Sequence, residues 1–415
     1  MKGRYLVAIG MFLLALLLYI DRICISVAKE PIATALNLSD KAMGWVLSAF
    51  ALGYALFQIP SGALSDRYGP RRVLSGIVSI WSALTALTGL AWNLFSLLTI
   101  RFLFGAGEAG AFPGMSRAIF SWFPLRERGT VTGINFSGSR LGAAFALPMV
   151  AWMIETYSWR FTFYSLGLIG IIWAAIWWHF FRDTPEEIIK LPERERSYIL
   201  ANRQQSFGKD SSASLHWKKL YRSKNMQSAV VQYFASNFTF FFALTWLFPY
   251  IKETYDLASM EAGWYSVAPF IAGAAGNWLG GIRVDSVYRK GKWNASRIQP
   301  AVLGFALAAG GLIGSIFMSG PFGAVLMISI AILGADMTLP PSWALCVDIG
   351  KEQAGAVSGT MNMAGNIGSF LTALAFPYLT AWMGSTDYFF YMAAALNVVA
   401  IWMWWRVRAD RGLEY

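Results

Sequence analysis

Charge is scarce in this chain. Only 14% of its 415 residues are Asp, Glu, Lys or Arg, where an ordinary soluble domain carries roughly 25%. A water-soluble fold of this length could not cover its core with so few charges, so an ordinary soluble enzyme is excluded. The 56% of hydrophobic residues excludes a disordered chain as well. Acidic residues are scarcer than basic ones, 23 against 34, which leaves a net charge of +11. On so apolar a chain this excess calls for a membrane explanation and not a nucleic-acid one. Cysteine is nearly absent. Cys24 and Cys346 stand in apolar stretches and imply no disulfide framework. Of the two histidines, His179 lies at the end of an apolar stretch and His216 in a polar one. No metal cluster, catalytic triad or nucleophile–base spacing is readable, so no metal, no cofactor and no enzymatic activity are expected.

What is abundant is aromatic and apolar: 19 Trp, 30 Phe and 39 Gly. A spanning helix needs roughly 20 mostly apolar residues. Twelve such stretches can be read, near 5–26, 43–64, 73–92, 94–119, 129–154, 161–181, 226–250, 260–282, 298–318, 321–346, 354–381 and 386–405. The expected fold class is therefore an all-α polytopic membrane protein. The first stretch follows Lys2 and Arg4, but it is long for a signal peptide, carries Asp21 and Arg22, and lacks a clean small-residue cleavage site.

Lys and Arg in the connections set the orientation. With both termini in the cytoplasm, 26 of the 34 basic residues fall in inside segments and four, Lys29, Lys41, Arg160 and Lys252, fall outside. Arg22, Arg101, Arg117 and Arg140 fall within the helices. The expected location is a cell (inner) membrane, with lipid as the surroundings. The longest polar stretch, 182–225, divides the chain into a six-helix bundle at 1–181 and another at 226–415. Within it, the region around 185–205 can form a short amphipathic helix or remain a solvated linker.

Two inside loops look alike. Gly62 is followed by Asp66, Arg67, Gly69, Arg71 and Arg72; Gly281 is followed by Asp285, Arg289, Lys290 and Gly291. Each reads Gly, three residues, Asp, then a basic cluster, between the second and third helix of its half. The pair suggests two related halves. The first loop resembles the signature loop of the major facilitator superfamily. Three further motifs narrow the likeness. They are the run from Arg101 through Glu108 to Pro113, followed by 122–129; Tyr19-Ile-Asp21-Arg22; and Gly365-Asn366-Ile-Gly368. They resemble the anion:cation symporter branch, which includes bacterial hexuronate, glucarate and galactonate transporters and the animal sialin group. The resemblance covers nearly the whole chain. It implies two six-helix bundles, transport by alternating access, and a cytoplasmic gate at Gly62–Arg72 with Asp285 in the matching loop.

Charges inside a bilayer cost at least ~2.5–3.5 kcal/mol each, so they face a partner or an aqueous cavity. The clearest are Asp21, Arg22, Arg101, Glu108, Arg140 and Asp336. Arg101 and Glu108 are seven apart, on nearly one helix face. Tyr19 and Arg22 share a face, and Asp21 lies about 100° away from Arg22. Arg22 can grip a carboxylate through two parallel hydrogen bonds, or pair with Glu108 or Asp21. Glu108, in a Gly/Ala/Phe setting, suits a proton carrier, and the resemblance implies the same for Asp21. Arg101 either pairs functionally or supports the structure. Tyr54 and Gln58 share a face of the second helix, and the resemblance makes Tyr54 a cavity residue. Asn135, Ser139 and Asn366 suit sugar hydroxyls. Ser139 stands where the galactonate-type pattern has Gln, and Arg140 departs from that pattern too. Arg140 can serve a second carboxylate, pair with Asp336 or make a lipid-edge contact.

The sequence is thus read as a proton-coupled symporter of a small organic anion of the hexuronate, glucarate or galactonate type, expected to be monomeric. The alternatives are a carrier of another carboxylate, coupled or not, and a membrane receptor that no longer transports.

Overall fold

The computed structural model describes residues 3–188, 191–204, 217–257 and 259–414. His216 and most of the second half of the expected linker lie outside the described residues. Lipid offers the backbone no hydrogen bonds, so a spanning chain satisfies its own polar groups in helices or closed barrels. Here the choice is helix. Among the described residues there is no strand, and the helices group into twelve rods. Seven stretches meet the length and hydropathy of a membrane span by themselves. Others, such as Arg128–Thr156, carry buried polar groups along their length.

Local signals set the rod ends. Ser39 caps Asp40–Tyr68, its hydroxyl accepting from Ala42 N at 3.3 Å. The break at Ala91–Asn93 is sharp because Asn93 and Ser96 form a reciprocal capping box before Leu94–Glu108. Pro321 opens the tenth rod at its first helical position, where a missing N–H costs nothing.

Four rods are jointed, three of them inside a stretch that the sequence shows as one span. The first runs Gly3–Val27 then Lys29–Leu36, and the fourth Leu94–Glu108 then Ala111–Trp122. The seventh runs Lys224–Thr245 then Leu247–Thr254, and the tenth Pro321–Met337 then Leu339–Gly350. In each, a proline (Pro31, Pro113, Pro249, Pro341) stands four residues after a residue at the joint: Val27, Ala109, Thr245 and Met337. Proline removes the i→i−4 bond and crowds that carbonyl. It is not sufficient alone, since helices run unbroken through Pro60, Pro269, Pro300 and Pro377. In the fourth and tenth rods Gly110 and Pro340 add a second helix breaker beside the joint.

The chain forms two compact units. The first comprises Met1–Phe123, Leu141–Ser212 and Glu352–Gly359; the second comprises Pro124–Arg140, Ala213–Lys351 and Thr360–Tyr415. The division runs through two continuous helices, Arg128–Thr156 and Ala354–Met383. In the first unit Asp40–Tyr68 packs along Leu94–Glu108, and Pro70–Thr88 along Trp159–Phe180. In the second, Ser259–Arg289 packs along Pro321–Met337, and Trp293–Ile316 along Asp387–Trp405. The same rod pairings recur. Bare backbones allow the close crossings: a Cβ on Gly105 would lie 2.1 Å from Phe50 O, and one on Gly276 2.2 Å from Leu333 O.

Each unit has its own apolar core, built around Ile25, Val46, Leu97, Val150 and Phe163 in one and Phe242, Ile328, Phe376 and Phe389 in the other. Large aromatics lie bare at helix ends, among them Trp45, Trp92, Phe95, Trp264, Phe322 and Trp382. Rings at helix ends suit the interface between hydrocarbon and headgroups.

Candidate functional site

In the first unit, four charged side chains come together from two rods. Asp21 and Arg22 sit in Gly3–Val27, Arg101 and Glu108 in Leu94–Glu108. Arg22 Nε donates to Glu108 Oε1. Glu108 is fully buried at the last helical position before the joint. The Arg22 guanidinium lies 4.4 Å from the ring centre of Tyr54, 5.1 Å from Tyr19 and 5.2 Å from Phe50. These π-faces hold a cation without neutralising it. Arg101 lies 4.7 Å from the Phe104 ring and 5.2 Å from Phe50. Asp21 turns away from Arg22 and accepts from Trp81 Nε1 at 3.2 Å. Gln58, four residues beyond Tyr54, is fully buried.

Two carboxylates and two guanidiniums make this group formally neutral, yet it is not saturated. Among the described residues, Asp21 Oδ1, Glu108 Oε2, Arg22 Nη2 and Arg101 Nε are buried and have no hydrogen-bond partner. Buried polar atoms are almost always bonded. Four unsatisfied atoms in one charged group are therefore capacity to bind a further polar species or to exchange a proton.

The second unit holds Arg140 and Asp336. Arg140 Nε and Nη2 donate to the two Asp336 oxygens at 2.7 and 2.6 Å, a bidentate fork. The guanidinium lies flat on Phe240, 3.6 Å from the ring centre. Asp336, like Glu108, lies in the last turn before its rod's joint. Ser139, next to Arg140, is fully buried and its hydroxyl has no partner among the described residues. Asn135 is buried one turn earlier. Asn366 is half-buried and donates to Asn362 O at 2.8 Å.

The two matching loops make the same contact. Asp66 accepts from Gly355 N and Ala356 N at 2.9 and 2.8 Å, at the start of Ala354–Met383. Asp285 accepts from Gly129 N and Thr130 N at 2.9 and 2.8 Å, at the start of Arg128–Thr156. Each carboxylate satisfies two orphan donors at a helix N-terminus and meets the positive end of its dipole. Gly62 and Gly281 make room, since a Cβ there would lie 2.3 Å from Gly355 O and 2.5 Å from Gly129 O. The neighbouring basic residues differ in role. Arg117 approaches Asp66 at 3.9 Å. Arg71 donates through Nε to Trp178 O, and its backbone N–H donates to Asp183. Gly69 takes the positive φ (+81°) needed between two helices, while Arg67 and Arg72 are exposed.

The sequence model of the Major Facilitator Superfamily matches residues 11–373. The chain belongs to the major facilitator superfamily. Among its relatives is SauU of Cupriavidus necator, described as a probable sulfoacetate transporter, 32% identical over 396 residues that cover 95% of this chain and 91% of that one. The hexuronate transporter of Bacillus subtilis is 31% identical, over 96% of this chain and 93% of its own. The solved structure of the proton:xylose symporter XylE superimposes with a TM-score of 0.71 at 16% identity, covering 97% and 95% of the two chains; that likeness concerns the fold.

As a member of this superfamily the protein is a multi-pass membrane transporter, not an enzyme. Several partners of its charged residues escaped the reading of the sequence. Phe50 lies one turn before Tyr54 and could have been found by helical spacing; Trp81 and Phe240 meet their partners only through tertiary packing. A buried cluster also went unseen. Asp348 accepts from Arg128 Nη1 at 2.7 Å, Arg297 Nε at 2.8 Å and Trp293 Nε1 at 3.1 Å. Arg128, Arg297 and Asp348 are fully buried.

Proposed function

We propose that the protein is a proton-coupled symporter of a small organic anion: a sugar acid, or a short acid bearing carboxylate or sulfonate. Arg22 receives the acid group, while Glu108 and Asp21 carry protons. The observation that carries this reading is the bond from Arg22 to a fully buried Glu108 beside unsatisfied polar atoms. An incoming anion and an ionised Glu108 compete for one guanidinium. Protonation of Glu108 removes the competitor, so anion and proton each raise the affinity of the other. Tyr19, Tyr54 and Gln58 flank Arg22 as substrate contacts, and Ser139 and Asn366 suit hydroxyl groups. Arg101 supports the charge balance.

The anion class is supported by the relatives, which include sulfoacetate and hexuronate transporters, and by the motifs that resemble the anion:cation symporter branch. The excess of basic residues in one set of loops, 26 against four, supports a cell (inner) membrane location with both termini in the cytoplasm. We take 1–181 and 226–415 as the moving bundles of alternating access, 182–225 as their linker, and Gly62–Arg72 with Asp285 as the cytoplasmic gate.

Uptake of labelled D-glucarate, D-galactonate, D-glucuronate and sulfoacetate into proteoliposomes tests this directly. At least one should accumulate when the outside is acidic and equilibrate without accumulating when the gradient is collapsed. Uptake of none, or accumulation indifferent to the gradient, would refute the reading.

A further inference from the structure

A groove of about 690 Å³ lies between the starts of Ser259–Arg289 and Pro321–Met337, both within the second unit. That volume falls within the roughly 300–1,000 Å³ of small-molecule sites. Most of its wall is apolar: Trp264, Ala268, Phe322 and Leu326. Trp264, Ile271, Trp278 and Ile282 recur at helical spacing and are all exposed, so they form one bare apolar stripe along the helix. In a multi-pass membrane protein such a stripe faces hydrocarbon, and the groove opens to lipid. Two polar residues interrupt the apolar wall. Glu261 stands exposed in the first turn of its helix. Ser329 is the other. A helical serine can donate to the carbonyl four residues back, as Ser266 does to Ala262 O at 2.7 Å. Ser329 Oγ instead is buried without a partner among the described residues. The surroundings of the mouth are acidic. At this end of the second unit, segments 252–261, 317–320 and 384–387 hold Glu253, Asp256, Glu261 and Asp387 against Lys252. That reverses the sign of a chain whose net charge is +11.

We infer that this groove is a binding site for a phospholipid with a primary ammonium headgroup, phosphatidylethanolamine. An acyl chain lies along the apolar wall, and the ammonium donates to the Glu261 carboxylate. The face of a tryptophan attracts a cation, so Trp264 beside Glu261 favours the same headgroup. Ser329 Oγ is a donor available to the lipid's ester groups. The charge of the mouth decides the class of lipid. A phosphatidylglycerol headgroup carries no cation, and its phosphate meets an acidic rim. A quaternary ammonium, as in phosphatidylcholine, has no N–H to give to Glu261. The site is remote in sequence from the residues proposed to receive the anion and the proton, and it stands or falls independently of the symport reading.

The test uses three photoreactive lipids with the same diazirine-bearing acyl chains and different headgroups: ethanolamine, choline and glycerol. Each is added in trace to vesicles of phosphatidylcholine and phosphatidylglycerol in equal parts that hold the full-length protein. After irradiation the labelled peptides are mapped by mass spectrometry. In the wild type the ethanolamine probe should label 261–268 and 322–329 at least threefold more than either other probe. Glu261 and Ala268 are exposed, so substitutions there leave the fold intact. Glu261→Gln should bring the ethanolamine probe down to the level of the choline probe. Glu261→Lys should make the glycerol probe the strongest. Ala268→Trp fills the groove and should remove labelling there by all three probes while labelling of other faces continues. Three results would each overturn the inference. Equal labelling by all probes in the wild type would leave the groove to bulk lipid. An ethanolamine preference that survives Glu261→Gln would deny the carboxylate its role. A groove that takes no probe, with Trp264→Cys forming a disulfide between two copies of the chain, would make this face a subunit contact.

Discussion

Arg22 answers to two carboxylates, one belonging to the protein and one, under the proposed function, to the substrate. Its aromatic surroundings matter because they keep the guanidinium in place whichever carboxylate holds it. Glu108→Gln imitates the protonated acid. It should retain anion binding and anion–anion exchange in counterflow, while pH-driven accumulation falls to the equilibrium level. Arg22→Ala removes the receiver itself. Truncating one member of a buried charge pair costs about 2–5 kcal/mol, so anion affinity should drop by roughly thirtyfold or more. Counterflow and gradient-driven uptake on one vesicle preparation separate the two variants. Normal accumulation by Glu108→Gln would pass the coupling role to Asp21 or Asp336.

At the scale of elements, much was legible in the sequence because lipid simplifies the physics. A span such as 94–119 shows its length by hydropathy alone, and the helix pair Leu94–Glu108 and Ala111–Trp122 covers it with a few residues to spare. The joint within it was not legible. Pro113 follows a break at Ala109–Gly110, yet Pro60 interrupts nothing, so a single proline cannot be read either way without its neighbours. Spacing likewise showed that Arg101 and Glu108 share a helix face. It could not show that Asp21 would turn to Trp81 or that Arg128 would reach Asp348, because those partners come from distant segments. The repeated loops were readable as a pattern of Gly and Asp. Their receiving helix ends, at Gly355 and Gly129, were not. Each carboxylate there acts as an N-cap supplied from another helix, and loss of a capping side chain costs about 1 kcal/mol. Asp66→Ala and Asp285→Ala should therefore each lower the thermal midpoint by a few degrees and slow transport, while anion affinity stays within threefold of wild type. Loss of affinity equal to the loss of rate would place these residues in the substrate site instead.

At the scale of the molecule, the proposed topology of twelve spans returns the chain to the side on which it started, so under it one labelled position reports the orientation of all. Cys24 and Cys346 are both buried, which gives a native background of low reactivity toward impermeant thiol reagents. The stretch after the sixth rod is anchored to the beginning of the first. Glu195, on the short helix Glu193–Asn202, accepts from Gly3 N and Arg4 N at 2.8 and 3.2 Å and pairs with the Arg4 side chain at 3.2 Å. That carboxylate meets the orphan N–H groups of a helix start, so this helix and the start of the first rod belong to one face of the membrane. Arg194 on the same helix is exposed, as is Arg160 at the opposite end of the sixth rod. If basic loops face the cytoplasm, Arg194→Cys should react with an impermeant maleimide in inside-out vesicles and be silent in right-side-out ones. Arg160→Cys should do the reverse. The opposite pattern would invert the molecule and move the Gly62–Arg72 loop to the outer gate. Labelling of both positions from one side would break the twelve-span topology itself, because the Trp159–Phe180 helix lies between them.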